Sequence, residues 1–211
     1  MRYKMKFRFI ILIVIYVLTQ SCQSKHSELD DKQFVLTEEQ LAELNDTSSW
    51  TKIENDTLQF EIMFPKVTGS SIIESETVFE DTDFGVTRQY KWEMDCQKLD
   101  HVNLGYVISI LKMNPKEIDK YFSNYEKGYY NYVEKEVEEL SNSELIMKKT
   151  IKINGYPARE MWFKNDRYNV RIKMHTVLIG HTEYRYLVTM RNEEYLNLYT
   201  GMFIKSFKTN Q

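Results

Sequence analysis

At 211 residues the chain is long enough to bury a real core without cross-links. Its formal net charge is −3, and removing four basic and no acidic leader residues leaves the remainder near −7. No lysine or arginine cluster stands beyond the leader, which argues against nucleic acid as a partner, because affinity there rests on neutralised phosphates. The acidity reads as a well-solvated surface.

The chain opens with Arg2, Lys4, Lys6 and Arg8, followed by the apolar run Phe9 to Leu18. A single span across hydrocarbon needs roughly 20 apolar residues, so this run is short for a transmembrane helix. A basic region followed by a short apolar core is the pattern of a secretory signal. The stretch Leu18-Thr19-Gln20-Ser21-Cys22 resembles a bacterial lipoprotein processing site, in which the cysteine is acylated and becomes the first residue. Ser21 fits the small position before it, whereas Thr19 and Gln20 depart from the commoner pattern. An uncleaved anchor and a secreted protein cut elsewhere are the other readings. Acylation at Cys22, by palmitate or similar chains, implies a bacterial cell-envelope location. One chain binds membrane marginally, at about 0.8 kcal/mol per buried methylene, and two or more hold stably. Only Cys96 then remains as a thiol, so the mature chain has no internal disulfide to form.

The expected organisation is a signal peptide over 1–21, a polar tether with a short helix over 22–49, and one domain over 50–211. Gln23 to Phe34 is polar and charged. In LTEEQLAEL, Thr37 caps a helix with Gln40 as capping-box partner, and Leu36 staples against Leu41.

The domain begins near Trp50. Leu58 to Phe64 reads as a strand stopped by Pro65. Extended pieces follow at Ile72 to Phe79 and Val86 to Met94. Gly105 to Leu111 is apolar on both faces and must be covered on both sides. Asn114 then caps a helix with Pro115 at its first position. Ile118, Tyr121, Phe122, Tyr125, Tyr129, Tyr132 and Val133 form one apolar stripe on it, running out near Leu140. Four strands follow, Ile146–Ile153, Tyr156–Lys164, Asn169–Leu178 and Thr182–Met190, with Asn154-Gly155 as the strongest hairpin signal. Asn192 caps a terminal helix containing Leu196, Tyr199, Met202, Phe203 and Phe207. Strands, one long helix, an antiparallel meander and a short helix describe an α+β fold with a mainly antiparallel sheet.

This order, with Phe60-Glu61-Ile62-Met63-Phe64-Pro65, the hairpin Ile153-Asn154-Gly155-Tyr156-Pro157-Ala158-Arg159-Glu160 and the closing Phe203-Ile204-Lys205-Ser206-Phe207, resembles the PsbP-like fold. The resemblance spans roughly Trp50 to Phe207 and implies a three-layer α/β/α sandwich. It transfers no activity, because one fold hosts many functions.

Candidate chemistry is sparse. The histidines are His26, His101, His175 and His181, with no HExxH and no cysteine pair, so no metal site and no cofactor are expected. No Gly-x-Ser-x-Gly elbow or phosphate loop is present, and no catalytic residues are assigned. The aromatic content stands out, with fifteen tyrosines. Tyr130 falls off the helical stripe and Tyr132 sits at its edge. With Trp162, Arg159 and Arg171 from the adjoining hairpins they form a candidate partner-binding patch. Core packing is the alternative account of the tyrosines. The expected function is a lipid-anchored, non-catalytic binding or assembly module, held at the membrane by Cys22 and meeting an envelope protein partner. The alternative is an envelope hydrolase whose site is assembled from distant segments.

Overall fold

The computed structural model describes residues 50–82, 85–99, 101, 103–115, 125–191 and 199–209. The chain is α+β, built around one seven-stranded antiparallel sheet. Its elements are β1 (Thr51–Asn55), β2 (Phe60–Phe64), β3 (Ile72–Thr82), β4 (Gly85–Asp95), β5 (Asn103–Lys112), α1 (Tyr125–Ser141), β6 (Glu144–Ile153), β7 (Tyr156–Asn165), β8 (Val170–Ile179), β9 (Thr182–Met190), α2 (Tyr199–Ser206) and β10 (Lys208–Thr209). The large sheet has the order β3-β4-β5-β9-β8-β7-β6, so β3 and β6 are its edges. A second, three-stranded sheet has the order β1-β2-β10.

Central β5 is buried from Asn103 through Leu111, as a strand apolar on both faces requires. Its side chains alternate between two cores. Tyr106, Ile108 and Ile110 meet Trp92, Tyr184, Tyr186 and Val188, and are covered by Phe60, Ile62 and Phe64 of β2 with Phe203 and Ile204 of α2. On the other face, Val107 and Leu111 join Met161, Phe163, Ile172, Met174, Leu178 and Leu187 beneath Tyr129, Tyr130, Val133 and Val137 of α1. Each such fully buried large side chain contributes about 1.5–3 kcal/mol relative to exposure.

Local chemistry closes the turns. Asn154 and Gly155 have φ of 50° and 88°, the two left-handed residues of a type I′ hairpin between β6 and β7. The small sheet is clamped by side chains: Ser206 Oγ accepts from Met63 N–H at 2.9 Å and donates to Phe203 O at 2.7 Å. Tyr184 Oη donates to Leu58 O at 2.9 Å, tying central β9 to the β1–β2 turn.

Several expectations change. Thr51–Asn55 is a strand pairing with β2, and Lys208–Thr209 adds a third strand beside it. Leu58 and Gln59 lie in the turn rather than in the strand, Gln59 at φ 55° and the Leu58 N–H held by Asn55 Oδ1 at 2.9 Å. Phe207 follows the end of α2. The face opposite α1 is therefore covered by helix and small sheet together. The helical residues expected at 116–124 and the Asn192 cap lie outside the described residues, as do the leader and tether.

Candidate functional site

The two sheets leave a groove of about 380 Å³ where their free edges approach. Thr51 and Ile53 of β1 form one wall and Ile72 and Glu74 of β3 the other, with Trp92 and Met94 of β4 between them. The β2–β3 link contributes Pro65, Lys66, Val67, Ser70 and Ser71 and closes one end. That link is held in shape locally. Ser70 N–H donates to Val67 O at 3.0 Å, and Ser70 Oγ donates to Asp95 O at 2.9 Å, pinning the link to the end of β4. Gly69 sits at φ +86° with Leu99 Cδ2 only 3.2 Å from where a Cβ would stand, so glycine is required there.

Beneath α1 the sheet carries a polar row. Strand register aligns Ser75, Lys91, Ser109, Arg185, Thr176, Arg159 and Thr150 across all seven strands. They share a face with Val107, Leu187 and Met161 because side chains alternate with period two. Lys91 Nζ lies 2.9 Å from Glu93 Oε2, and Gln89 Nε2 donates to Ser109 Oγ at 2.8 Å. Arg185 forks onto Glu183 at 2.9 and 3.0 Å and lies 3.8 Å from Glu136 Oε2 on α1. Glu183 also accepts from Thr176 Oγ1 at 2.8 Å and Tyr129 Oη at 2.9 Å. Arg159 pairs with Thr150. Burial pushes the Glu136 carboxyl up to about 8, Arg185 opposing and Glu183 adding to the rise. Glu136 is thus largely protonated at neutral pH, which spares the docked helix a buried, uncompensated charge.

On the opposite face, Glu160, His175 and Tyr186 form a chain. Glu160 Oε2 lies 3.0 Å from His175 Nε2, and His175 Nδ1 lies 3.4 Å from Tyr186 Oη. Trp162 Nε1 donates to Glu160 Oε1 at 3.0 Å, Lys173 Nζ lies 3.7 Å from the same oxygen, and Lys173 sits 4.8 Å over the Trp162 ring. Burial pushes His175 down to about 4 against the pull of Glu160. Burial alone would raise Glu160, but Trp162, Lys173 and His175 together hold it below its ordinary value. Neutral His175 therefore donates from Nε2 to ionised Glu160 and accepts from Tyr186 at Nδ1, an assignment made from its partners. Burial pushes Tyr186 well up, so its hydroxyl stays protonated. None of the three lines the groove. His175 on β8 lies three strands from β4, about 14 Å at one interstrand spacing per step.

The other histidines fall apart from this chain. His101 Nε2 lies 3.0 Å from Tyr106 Oη, which accepts from Asn103 Nδ2 at 2.6 Å, and burial pushes His101 down to about 4. His181 occupies the β8–β9 turn, its carbonyl accepting from Met113 N–H at 3.0 Å. Among the described residues no group of three or more histidine, cysteine, aspartate or glutamate side chains converges as metal ligands. Cys96 is buried and burial raises its thiol to about 12, far from a reactive thiolate.

The five residues expected to form one patch divide between two faces. Tyr130 is 3 % exposed; its hydroxyl donates to Pro157 O at 2.8 Å and accepts from Leu178 N–H at 3.1 Å. The Arg159 guanidinium lies 5.3 Å over the Tyr130 ring, and half-buried Tyr132 stacks near Tyr129 at 6.4 Å. Trp162 and Arg171 lie on the other face, Arg171 Nη1 at 3.9 Å from Asp166 Oδ1. Strand alternation is the cause: Arg159 and Trp162 are an odd number of residues apart on β7. Cys22 lies outside the described residues. The groove residues escaped sequence reading because a wall built from two strand edges leaves no local motif; Pro65 and Gly69-Ser70-Ser71 signalled only a break.

No protein-family model and no curated protein matches the chain. Among solved structures, the cyanobacterial PsbP (CyanoP) of Synechocystis sp. PCC 6803 is similar with a TM-score of 0.51 at 10% identity, over 76% of this chain and 92% of that one. A Bacteroides thetaiotaomicron VPI-5482 protein gives 0.38 at 12% identity, over 77% of this chain and 49% of that one. A Pseudomonas aeruginosa protein of unknown function, PA94, described as a putative regulator, gives 0.32 at 10% identity, over 74% and 92%. The first, together with the antiparallel sheet and its flanking elements, identifies the architecture: the chain has a PsbP-like fold.

Proposed function

We propose that this chain is a lipid-anchored cell-envelope protein, tethered through acylated Cys22, whose domain is a non-catalytic binding module. The observation that carries the binding reading is the groove between β1 and β3, with its apolar floor and a link tied down by Ser70. A cleft already shaped costs little ordering on binding. In the same proposal the architecture is that of a three-layer α/β/α sandwich, with the small sheet sharing the α2 layer. The partner is a protein of the envelope, met by a domain whose leash runs from Cys22 to Trp50.

One observation favours the enzymatic alternative, the Glu160–His175 pair at 3.0 Å. His175 packs against Tyr186, which itself stacks on Phe207, and the pair shares no residue with the groove, so it reads as a polar bridge between β7 and β8.

The test is crosslinking and affinity capture from native membranes, comparing the wild type with Val67→Arg, which fills the groove from its rim. A partner captured by the wild type and lost by the variant, at unchanged thermal stability, is the expected result. Equal capture by both refutes the groove. Intact mass of the purified protein tests the anchor, and an unmodified, uncleaved N-terminus refutes it.

A further inference from the structure

The two edges of the large sheet are defended differently. β6 carries Lys148, Lys149 and Lys152 and an irregularity between Leu145 and Met147, devices that discourage another strand from pairing. β3 is eleven residues long and contains no lysine, arginine or proline; its own irregularity comes only at the far end, between Phe79 and Thr82, and Ile73 (54%) and Val78 (45%) are exposed on it as Ile146 (43%) and Met147 (41%) are on β6. β3 pairs only with β4 among the described residues, and β1, across the groove, pairs only with β2. The groove therefore runs between two strand edges whose outward backbone groups have no ladder partner among the described residues.

Glu74 and Glu76 of β3 fall on one face. Ile72, Glu74, Glu76 and Val78 alternate onto the side of Trp92 and Met94, and both glutamates are exposed. Glu74 has no ion pair among the described residues. Glu76 meets Arg88 at 3.2 Å, an exposed pair of the kind that contributes little. Lys66, the other titratable group of the lining, belongs to the link at the closed end, beyond Ile72. Ile72, Trp92 and Met94 thus give the groove apolar surface, while Glu74 lines it away from the closed end and Glu76 follows on the same face of β3.

We propose that β3 and the groove take an extended segment of a partner polypeptide as an added strand, with an apolar side chain seated against Ile72, Trp92 and Met94 and basic side chains at alternate positions opposite Glu74 and Glu76. Backbone pairing supplies affinity and the alternating side chains supply selection. Opposite charges facing across strands favour pairing and like charges oppose it. The same rule disfavours a second copy. β3 against β3 sets acid against acid, and on β6 only Lys149 shares the groove face, since Lys148 and Lys152 stand opposite Met161 and Pro157 on alternate residues. This inference rests on the binding-module reading and specifies its partner.

The experiment uses the intact protein in detergent with a fluorescein-labelled peptide of sequence TLTKTKTV, and the charge-reversed TLTETETV as control. Saturable binding of the first below about 1 mM, at least tenfold weaker for the second and for the Glu74→Lys/Glu76→Lys variant, is expected. Amide hydrogen exchange should show new protection in β3 on binding. Equal binding of both peptides, unchanged binding by the variant at unchanged thermal stability, or protection confined to β6 overturns the inference. Groove-dependent capture of a native partner with no binding of TLTKTKTV overturns it as well, and leaves the binding-module reading standing.

Discussion

Glu136 allows a quantitative test of how α1 docks on the sheet. Its carboxyl sits 8% exposed beneath the helix, 3.8 Å from Arg185, and burial raises it from 4.5 to about 8. The folded chain therefore holds a proton that the unfolded chain releases across that interval. The associated stability is fully present below 4.5 and is lost as pH rises through about 8. At about 1.4 kcal/mol per pH unit the ceiling is roughly 5 kcal/mol, and the part falling between about pH 6 and pH 9 is roughly 3 kcal/mol. Glu136→Gln keeps the volume and stays neutral at every pH. Urea unfolding followed by tryptophan fluorescence, repeated over that range, should show the wild type losing roughly 3 kcal/mol more than the variant. Parallel curves for the two proteins would refute the reasoning.

Three further outcomes follow from the geometry. His175 and His101 are both held near 4, so their contribution is complete above 6.5 and is lost as pH falls through about 4; NMR titration of their ring protons should give midpoints near 4, and midpoints near 6.5 would contradict the burial. Phe203→Ala removes a fully buried ring packed 5.2 Å from both Phe64 and Tyr106, and should cost about 3–5 kcal/mol by denaturant unfolding. Tyr130→Phe deletes the hydroxyl that links Pro157 O to Leu178 N–H, leaving that amide unpaired, and should cost about 1–3 kcal/mol. A neutral Tyr130→Phe would contradict the bridge made by the hydroxyl.

Most of the architecture was legible because local chemistry and burial agreed. The alternation of Tyr184, Tyr186, Val188 and Met190 marked a one-sided core, and those four residues share one cluster. Asn154-Gly155 marked a hairpin because only left-handed residues match its twist, and both have positive φ. Thr51–Asn55 was not legible. TKIEN has a single apolar side chain, and it is a strand because β2 pairs with it. Lys208–Thr209 is extended for the same reason.

The candidate site lies on the other side of that divide. Nothing in the sequence singles out Lys91, Glu93, Glu183 or Arg185, yet register places Lys91 and Arg185 in one buried row with their carboxylates beside them. Tyr130 looked like a surface ring one step off the stripe, but the helix rests on the sheet with Tyr129 and Tyr130 both inward. Period and turn chemistry are properties of neighbouring residues, so sequence by itself determined which segments form the strands of the large sheet, where most of them turn and which side chains seek a core. Which edges stay unpaired, which charges meet and where a groove opens depend on segments as far apart in the chain as Met63 and Ser206, 143 residues. Those were decided only when the two sheets packed, because only then did β1 and β3 face one another.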